Sequence, residues 1–164
     1  MAAVFNRYCS TSLRIRENKE KTMQIIIVED EENIRKELKQ LLQNAMYEVT
    51  TIESFSDVAG QITRMEPMPD LVLLDLNLPE ESGFVICTKI REYSEIPVIF
   101  LTSRTDSMDE LTGILKGADD YITKPFNAPI LLARIANVLK RTAKKDAVDA
   151  AKDLLQLEHK GVVL

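Results

Sequence analysis

Hydrophobic positions change period repeatedly along this chain, and the changes come in a regular order. Residues 24–28 form a short apolar run, and in residues 32–45 Ile34, Leu38, Leu41, Leu42 and Ala45 recur at helical spacing. Residues 48–52 are rich in β-branched side chains and predict a strand, and 57–65 predict a helix. Leu71, Val72, Leu73 and Leu74 form a continuous apolar run, the mark of a strand covered on both faces. Residues 83–91 then place Phe84, Cys87 and Ile90 on one helical face, and 98–101 form a second buried strand. Ser107 with Glu110 three residues on has the capping-box pattern of a helix start, with Met108, Leu111, Ile114 and Leu115 as its apolar set. A short strand at 121–123 and a long amphipathic helix at 128–144 complete the series.

Five strands alternating strictly with five helices imply right-handed crossovers and a parallel sheet covered on both faces. The expected fold is α/β, a flavodoxin-like three-layer α/β/α sandwich with strand order 2-1-3-4-5. Residues 23–143 hold this pattern. Residues 1–22 precede a second methionine, Met23, without apolar periodicity, and read as a leader or an extension ahead of the native start. A transit peptide is the rival reading, because residues 1–16 contain Arg and Ser but no acid. Residues 144–164 begin as a charged helical stretch and end in GVVL.

Composition narrows the chemistry. The 164 residues are 45% hydrophobic and 29% charged, with a net charge of −5, a balance that does not point to nucleic acid or anionic membranes. No run approaches the ~20 apolar residues of a membrane helix. Cys9 and Cys87 stand far apart and form neither a disulfide framework nor a zinc pattern, which fits a reducing, cytoplasmic compartment. The single histidine, His159, lies near the C-terminus, so histidine-based triads and His-rich metal sites are excluded. Any chemistry must run on carboxylates, hydroxyls and lysines.

In an open parallel sheet, ligands bind beyond the carboxyl ends of the strands. Glu29 and Asp30 follow the first strand, Asp75 the third, Thr102 and Ser103 the fourth, and Lys124 the fifth. Three clustered carboxylates repel unless one is neutralised or a cation joins them. An all-oxygen donor set selects a hard cation, Mg²⁺ first and Mn²⁺ or Ca²⁺ next. Cation, ammonium and hydroxyl together suit a phosphoryl group, and Asp75 becomes the nucleophile that would carry it. Taken singly, Asp75 could be a turn acid before a proline, Thr102 a strand-end residue and Tyr121 a core residue. It is their common edge that favours chemistry.

The stretches IIIVEDEENIR, LVLLDLNLPEESG, IFLTSRTD and GADDYITKPF, in this order and spacing, resemble the receiver domain of bacterial two-component response regulators. The resemblance runs from about Met23 to Arg141. It implies that Asp75 accepts phosphate from a sensor histidine kinase, with Mg²⁺ held by Asp30, Asp75 and the backbone carbonyl of Asn77. Glu29 would act through a metal-bound water; it stands where many members have Asp. Lys124 and Thr102 would assist, Thr102 and Tyr121 would form the switch, and Lys124–Pro125 would carry a cis peptide bond. Receivers catalyse their own phosphorylation and dephosphorylation and are not turnover enzymes.

GADDYITKPF followed by LLARIANVLKR is similar to the subclass fused to a winged-helix DNA-binding domain. That resemblance implies a phosphorylation-dependent homodimer through the fourth helix, fifth strand and fifth helix. Asp119 and Asp120 would meet Arg134 and Arg141 across the two-fold. Ile130 and Glu110 depart from the pattern and remove one intersubunit ion pair. LEHKGVVL would be the first strand of the truncated DNA-binding domain, so DNA would be bound only by the part missing here. Two rivals stand beside this reading. A stand-alone receiver would act by docking on another protein, and a haloacid-dehalogenase-like phosphatase would need an acid two residues after its nucleophile, where this chain has Asn77.

Overall fold

The computed structural model describes residues 20–103, 112 and 116–161, with side chains to residue 157. Its sheet is five-stranded and parallel: β1 (Gln24–Val28), β2 (Glu48–Ile52), β3 (Leu71–Asp75), β4 (Val98–Thr102) and β5 (Asp120–Thr123), in the order β2-β1-β3-β4-β5. The expected fold class and strand order are therefore those observed. Register is continuous across the centre, with Val28 opposite Leu74 and Asp75 opposite Leu101. Every central strand consequently ends at the same edge.

Alternation along the strands divides the core into two layers, since successive side chains point to opposite faces. Ile26, Val28, Val72, Leu74, Val98 and Phe100 pack on one face against α2 (Val58–Thr63) and α3 (Gly83–Tyr93), through Val58, Ile62, Ile86, Cys87 and Ile90. Ile25, Ile27, Leu71, Leu73, Ile99 and Leu101 pack on the other against α1 (Glu32–Asn44) and the C-terminal helix (Ala128–Gly161). Leu38 and Leu42 come from α1, and Leu131, Ile135, Val138 and Leu139 from the C-terminal helix. Both faces of β1, β3 and β4 are thus covered, which is why their runs are apolar without alternation.

Two expectations at the helices change. The C-terminal helix does not stop near residue 144 but continues to Gly161, so residues 157–161 are helical where a strand was expected. Between Lys145 and Lys160 there is neither proline nor glycine, and Ala, Leu, Lys and Asp alternate without a stop signal. Residues 162–164 lie outside the described residues. So does the helix expected from Ser107, including its cap and Glu110, except for Thr112, which is helical. The peptide bonds Glu66–Pro67 and Lys124–Pro125 are cis.

Helix α1 ends in a Schellman motif, with Tyr47 N–H donating to Leu42 O at 3.1 Å and Met46 N–H to Gln43 O at 3.0 Å. Met46 takes the left-handed position, at φ 70°, and is 82% exposed. Glycine has no Cβ to strain there. Met46→Gly should therefore raise unfolding stability by roughly 0.5–1 kcal/mol, whereas Met46→Val should lower it. Shifts of the denaturant midpoint at constant slope would measure both, and equal midpoints would remove the strain argument.

Candidate functional site

Among the described residues, the buried polar or charged side chains are Glu29, Asp75 and Thr102, and all three stand at the carboxyl edge of the sheet. Burial of such groups is costly unless they are paired or bonded, so their shared address is the strongest structural sign of a site. Glu29 leaves β1 and is fully buried, Asp75 is the last residue of β3, and Thr102 is the last of β4. Lys124 follows β5 and reaches back across the edge. The sheet brings together Glu29, Asp30, Asp75, Thr102 and Lys124, all expected from the strand ends.

The geometry is that of several acids around one cation. Lys124 Nζ lies 2.5 Å from Glu29 Oε2 and 3.0 Å from Asp75 Oδ2. Carboxylate oxygens of Glu29, Asp30 and Asp75 lie within 4.8 Å of one another. Backbone amides hold the two buried acids: Glu31 N–H donates to Glu29 Oε1, and Asn77 N–H donates to Asp75 Oδ1, each at 3.1 Å. Glu29 Oε2 has the Lys124 ammonium as its ion-pair partner.

These distances shift the charges. Burial pushes the Glu29 carboxyl up to about 7; Lys124 and the Glu31 amide pull it back, and the Asp75 charge pushes it further up. Burial alone would lower the Lys124 ammonium, but Glu29 and Asp75 outweigh it and hold Lys124 above the ordinary lysine value. One ammonium pairs with two buried carboxyl groups, and a third acid, Asp30, stands beside them. An all-oxygen cluster with unmet negative charge fits a hard divalent cation.

Three residues that aim this site escaped the sequence reading. Arg35 of α1 donates from Nη1 to Glu29 O at 2.9 Å and to Asp30 O at 3.4 Å, fixing the turn that carries both acids. Gly83 donates its N–H to Leu76 O at 2.9 Å, and a Cβ there would stand 2.3 Å from Asp75 O. Only glycine lets α3 begin this close to the end of β3. Arg91 donates to Gly117 O from Nε and Nη2, at 3.0 and 2.8 Å, and so pins the turn that feeds β5 and Lys124. The glycine in PEESG was the one visible signal; the arginines bond backbone carbonyls, which no side-chain pattern marks.

Tyr121 is half-buried and packs on the same core layer as Phe84 and Phe100, whose rings meet edge to face at 5.2 Å. The expected dimer residues are engaged within the chain. Asp119 Oδ2 accepts from Val98 N–H at 2.9 Å and from Arg91 Nη2 at 3.1 Å. Asp120 Oδ1 accepts from Arg134 Nη1 at 2.9 Å. Arg141 lines a shallow, mostly basic cleft with Asp120, Arg134, Asn137, Lys140 and Lys144.

Comparison with known proteins agrees with this geometry. The family model for the response regulator receiver domain matches residues 25–136. The chain is 45% identical over 118 residues to the uncharacterized transcriptional regulatory protein YvcP of Bacillus subtilis, covering 72% of this chain and 49% of that protein. To the response regulator ArlR of Staphylococcus aureus it is 42% identical over 126 residues, 77% of this chain and 57% of that protein. The chain thus spans about half the length of these curated relatives. Among solved structures, the response regulator DrrB of Thermotoga maritima, an OmpR/PhoB homolog, matches with a TM-score of 0.65 and 39% identity. That match covers 74% of this chain and 54% of DrrB. With its sheet order, its acidic edge and these relatives in agreement, the chain belongs to the response regulator receiver domain family.

Proposed function

We propose that this chain is the phosphoacceptor part of a transcriptional response regulator, with Asp75 as the residue phosphorylated by a sensor histidine kinase. One observation carries the reading: a buried aspartate at the end of the central strand, 3.0 Å from a lysine and beside two further acids. In the transfer, an oxygen of Asp75 bonds to phosphorus as the phosphorus–nitrogen bond of the phosphohistidine breaks. The bonding pair leaves with the imidazole nitrogen. Water later cleaves the acyl phosphate and returns inorganic phosphate and free Asp75.

Lys124 is placed to turn from the Asp75 carboxylate to an oxygen of the incoming phosphoryl group, where its charge stabilises the transition state. Asp30, Asp75 and the Asn77 carbonyl would hold Mg²⁺, with Mn²⁺ as a substitute, and Glu29 would act through a water. Bound there, the ion supplies positive charge to the phosphoryl oxygens. The Thr102 hydroxyl moves toward the new phosphate, and the Tyr121 ring turns inward behind it. A single added dianion thereby biases a two-state element. Asn77 offers no acid two residues after Asp75, so a dehalogenase-like phosphatase is not favoured.

Phosphorylation would promote a homodimer through the segment after β4, β5 and the C-terminal helix. In that dimer Asp119 and Asp120 would meet Arg134 and Arg141 across the two-fold, exchanging their partners within the chain, Arg91 and Arg134, for these. The reading places the protein in the cytoplasm, with residues 1–22 a leader or an extension ahead of the native start and residues 144–164 a linker and the start of a C-terminal domain. DNA would be contacted only through a C-terminal domain, as befits relatives that regulate transcription. The last buried residue of the C-terminal helix is Leu139, which supports a linker starting near residue 144.

Incubation with acetyl phosphate and Mg²⁺, read by intact mass, should add one phosphoryl group to the wild type and none to Asp75→Asn. Lys124→Ala should slow the gain by on the order of a hundredfold. An equal gain in Asp75→Asn would place the acceptor elsewhere. A second expectation concerns pH. The Glu29 carboxyl sits at about 7 in the folded chain against 4.5 unfolded, so between these values the folded state holds the extra proton. Metal-free stability should accordingly be full at low pH and fall as pH rises through about 7, by at most about 3 kcal/mol. Glu29→Gln should flatten this fall, and added Mg²⁺ should relieve it in the wild type. Chemical denaturation from about pH 5 to about pH 8 would test it, and a wild-type curve parallel to Glu29→Gln would refute it.

A further inference from the structure

Three acids meet at the edge of the sheet, but the chain holds only two of them by their side chains. Glu29 Oε1 accepts from the Glu31 amide and Asp75 Oδ1 from the Asn77 amide, while Lys124 joins their other oxygens. Asp30 differs: it is exposed, and its carboxylate forms no hydrogen bond or ion pair with a described residue. That carboxylate nevertheless offers an oxygen within 4.8 Å of those of the other two acids. Whatever aims it must act through the backbone. Arg35, near the start of α1, turns its side chain back to the end of β1, where Nη1 donates to Glu29 O at 2.9 Å and to Asp30 O at 3.4 Å. Its own amide donates to Glu31 O at 2.9 Å. One residue thus grips three successive carbonyls around Asp30. A guanidinium beside so many acids would ordinarily pair with a carboxylate, yet Arg35 forms no ion pair with a described residue.

We infer that Arg35 is a positioning residue for the divalent ion: by holding the carbonyls of Glu29 and Asp30 it aims the Asp30 carboxylate, and its loss weakens binding of the ion. The inference rests on the proposed role of Asp30 as a ligand of Mg²⁺. Charge and geometry make opposite demands on this arginine. As a charge alone, the guanidinium repels a nearby divalent cation, so removing it would tighten binding. As a brace it keeps the turn ordered before the ion arrives. Without the brace, the ordering of Asp30 is taken from the binding free energy, and binding weakens. Geometry prevails here because the charge is screened: Arg35 is only half-buried and acts on the neighbouring Glu32 as well. The bonds to the carbonyls have no such substitute.

Mn²⁺ binding to the unphosphorylated, metal-free chain provides the test, read from loss of the free-ion electron paramagnetic resonance signal, with Mg²⁺ added in competition. Arg35→Ala should weaken both ions by about tenfold. Arg35→Lys keeps the charge and a donor, and should lose less. In the Asp30→Asn background no carboxylate is left to aim, so adding Arg35→Ala should change affinity by less than about twofold. Unchanged or tighter binding by Arg35→Ala, whatever its stability in denaturant, would overturn the role of Arg35. So would a loss of the same size in the Asp30→Asn background. Should circular dichroism show Arg35→Ala unfolded, Arg35→Lys is read in its place, and wild-type affinity there would overturn the role. Wild-type binding that Asp30→Asn leaves intact would instead overturn the reading of the site itself, a result distinct from the others.

Discussion

One ammonium holds the edge of this sheet together. Glu29 and Asp75 are buried at the ends of adjacent strands, and Lys124 is 2.5 Å from one and 3.0 Å from the other. Without that cation, two buried carboxylates would have to share one negative charge, as like-charged acids in low dielectric do. With it, the edge is compensated only in part, because one lysine pairs with two carboxyl groups and a third acid, Asp30, stands beside them. Full compensation would give a quiet structural ion pair. Partial compensation leaves room for a cation and, in the function proposed here, for a phosphoryl group that would replace one carboxylate oxygen as the partner of Lys124. The site's chemistry therefore follows from a deliberate shortage of positive charge.

That shortage is tolerable because the surroundings are rigid. The β1, β3 and β4 strands are covered on both faces, so none of the three can shift to relieve the repulsion at their ends. The loops beyond them are tied by backbone bonds rather than by the acids themselves. Arg35 holds the carbonyls of Glu29 and Asp30, Gly83 sits against the backbone of Asp75 and Leu76, and Arg91 clamps Gly117. Each of these positions a functional group without touching whatever would bind. Pre-organisation of this kind is what lets a fixed set of charges act without reorganising.

Much of this was legible in the amino-acid order, and the reason is physical. Strands covered on both faces must be continuously apolar, so Leu71–Leu74 announces itself, and a parallel sheet must present its carboxyl ends together. The acids, Thr102 and Lys124 could therefore be gathered from strand ends alone. The positioning arginines could not, because a guanidinium that bonds backbone carbonyls leaves no periodic trace. The left-handed Met46 was equally hidden, since methionine, unlike glycine or asparagine, carries no signal for positive φ. The extended reading of residues 157–161 failed because LEHKGVVL looks strand-like only toward its end. The preceding chain, however, holds nothing to stop a helix, and propagation adds a bond at each residue.

The C-terminal helix also connects the acidic edge to whatever lies beyond it. Arg134 bonds Asp120 at the first residue of β5, and Lys124 follows the last residue of the same strand. Tyr121, the proposed switch, lies between them and packs on the core layer that holds Phe100. Movement of β5 toward or away from the acidic edge must therefore strain or release the Arg134–Asp120 pair. A single half-buried ion pair near the surface is worth little, on the order of 1 kcal/mol, so it resists such a movement weakly and can report it. Packed cores respond to small shifts by switching between arrangements rather than by deforming smoothly. A strand that carries the charge partner at one end and a weak tether to a long helix at the other suits that response. The strong interactions stay in the sheet, and the weak one stands where the signal must leave.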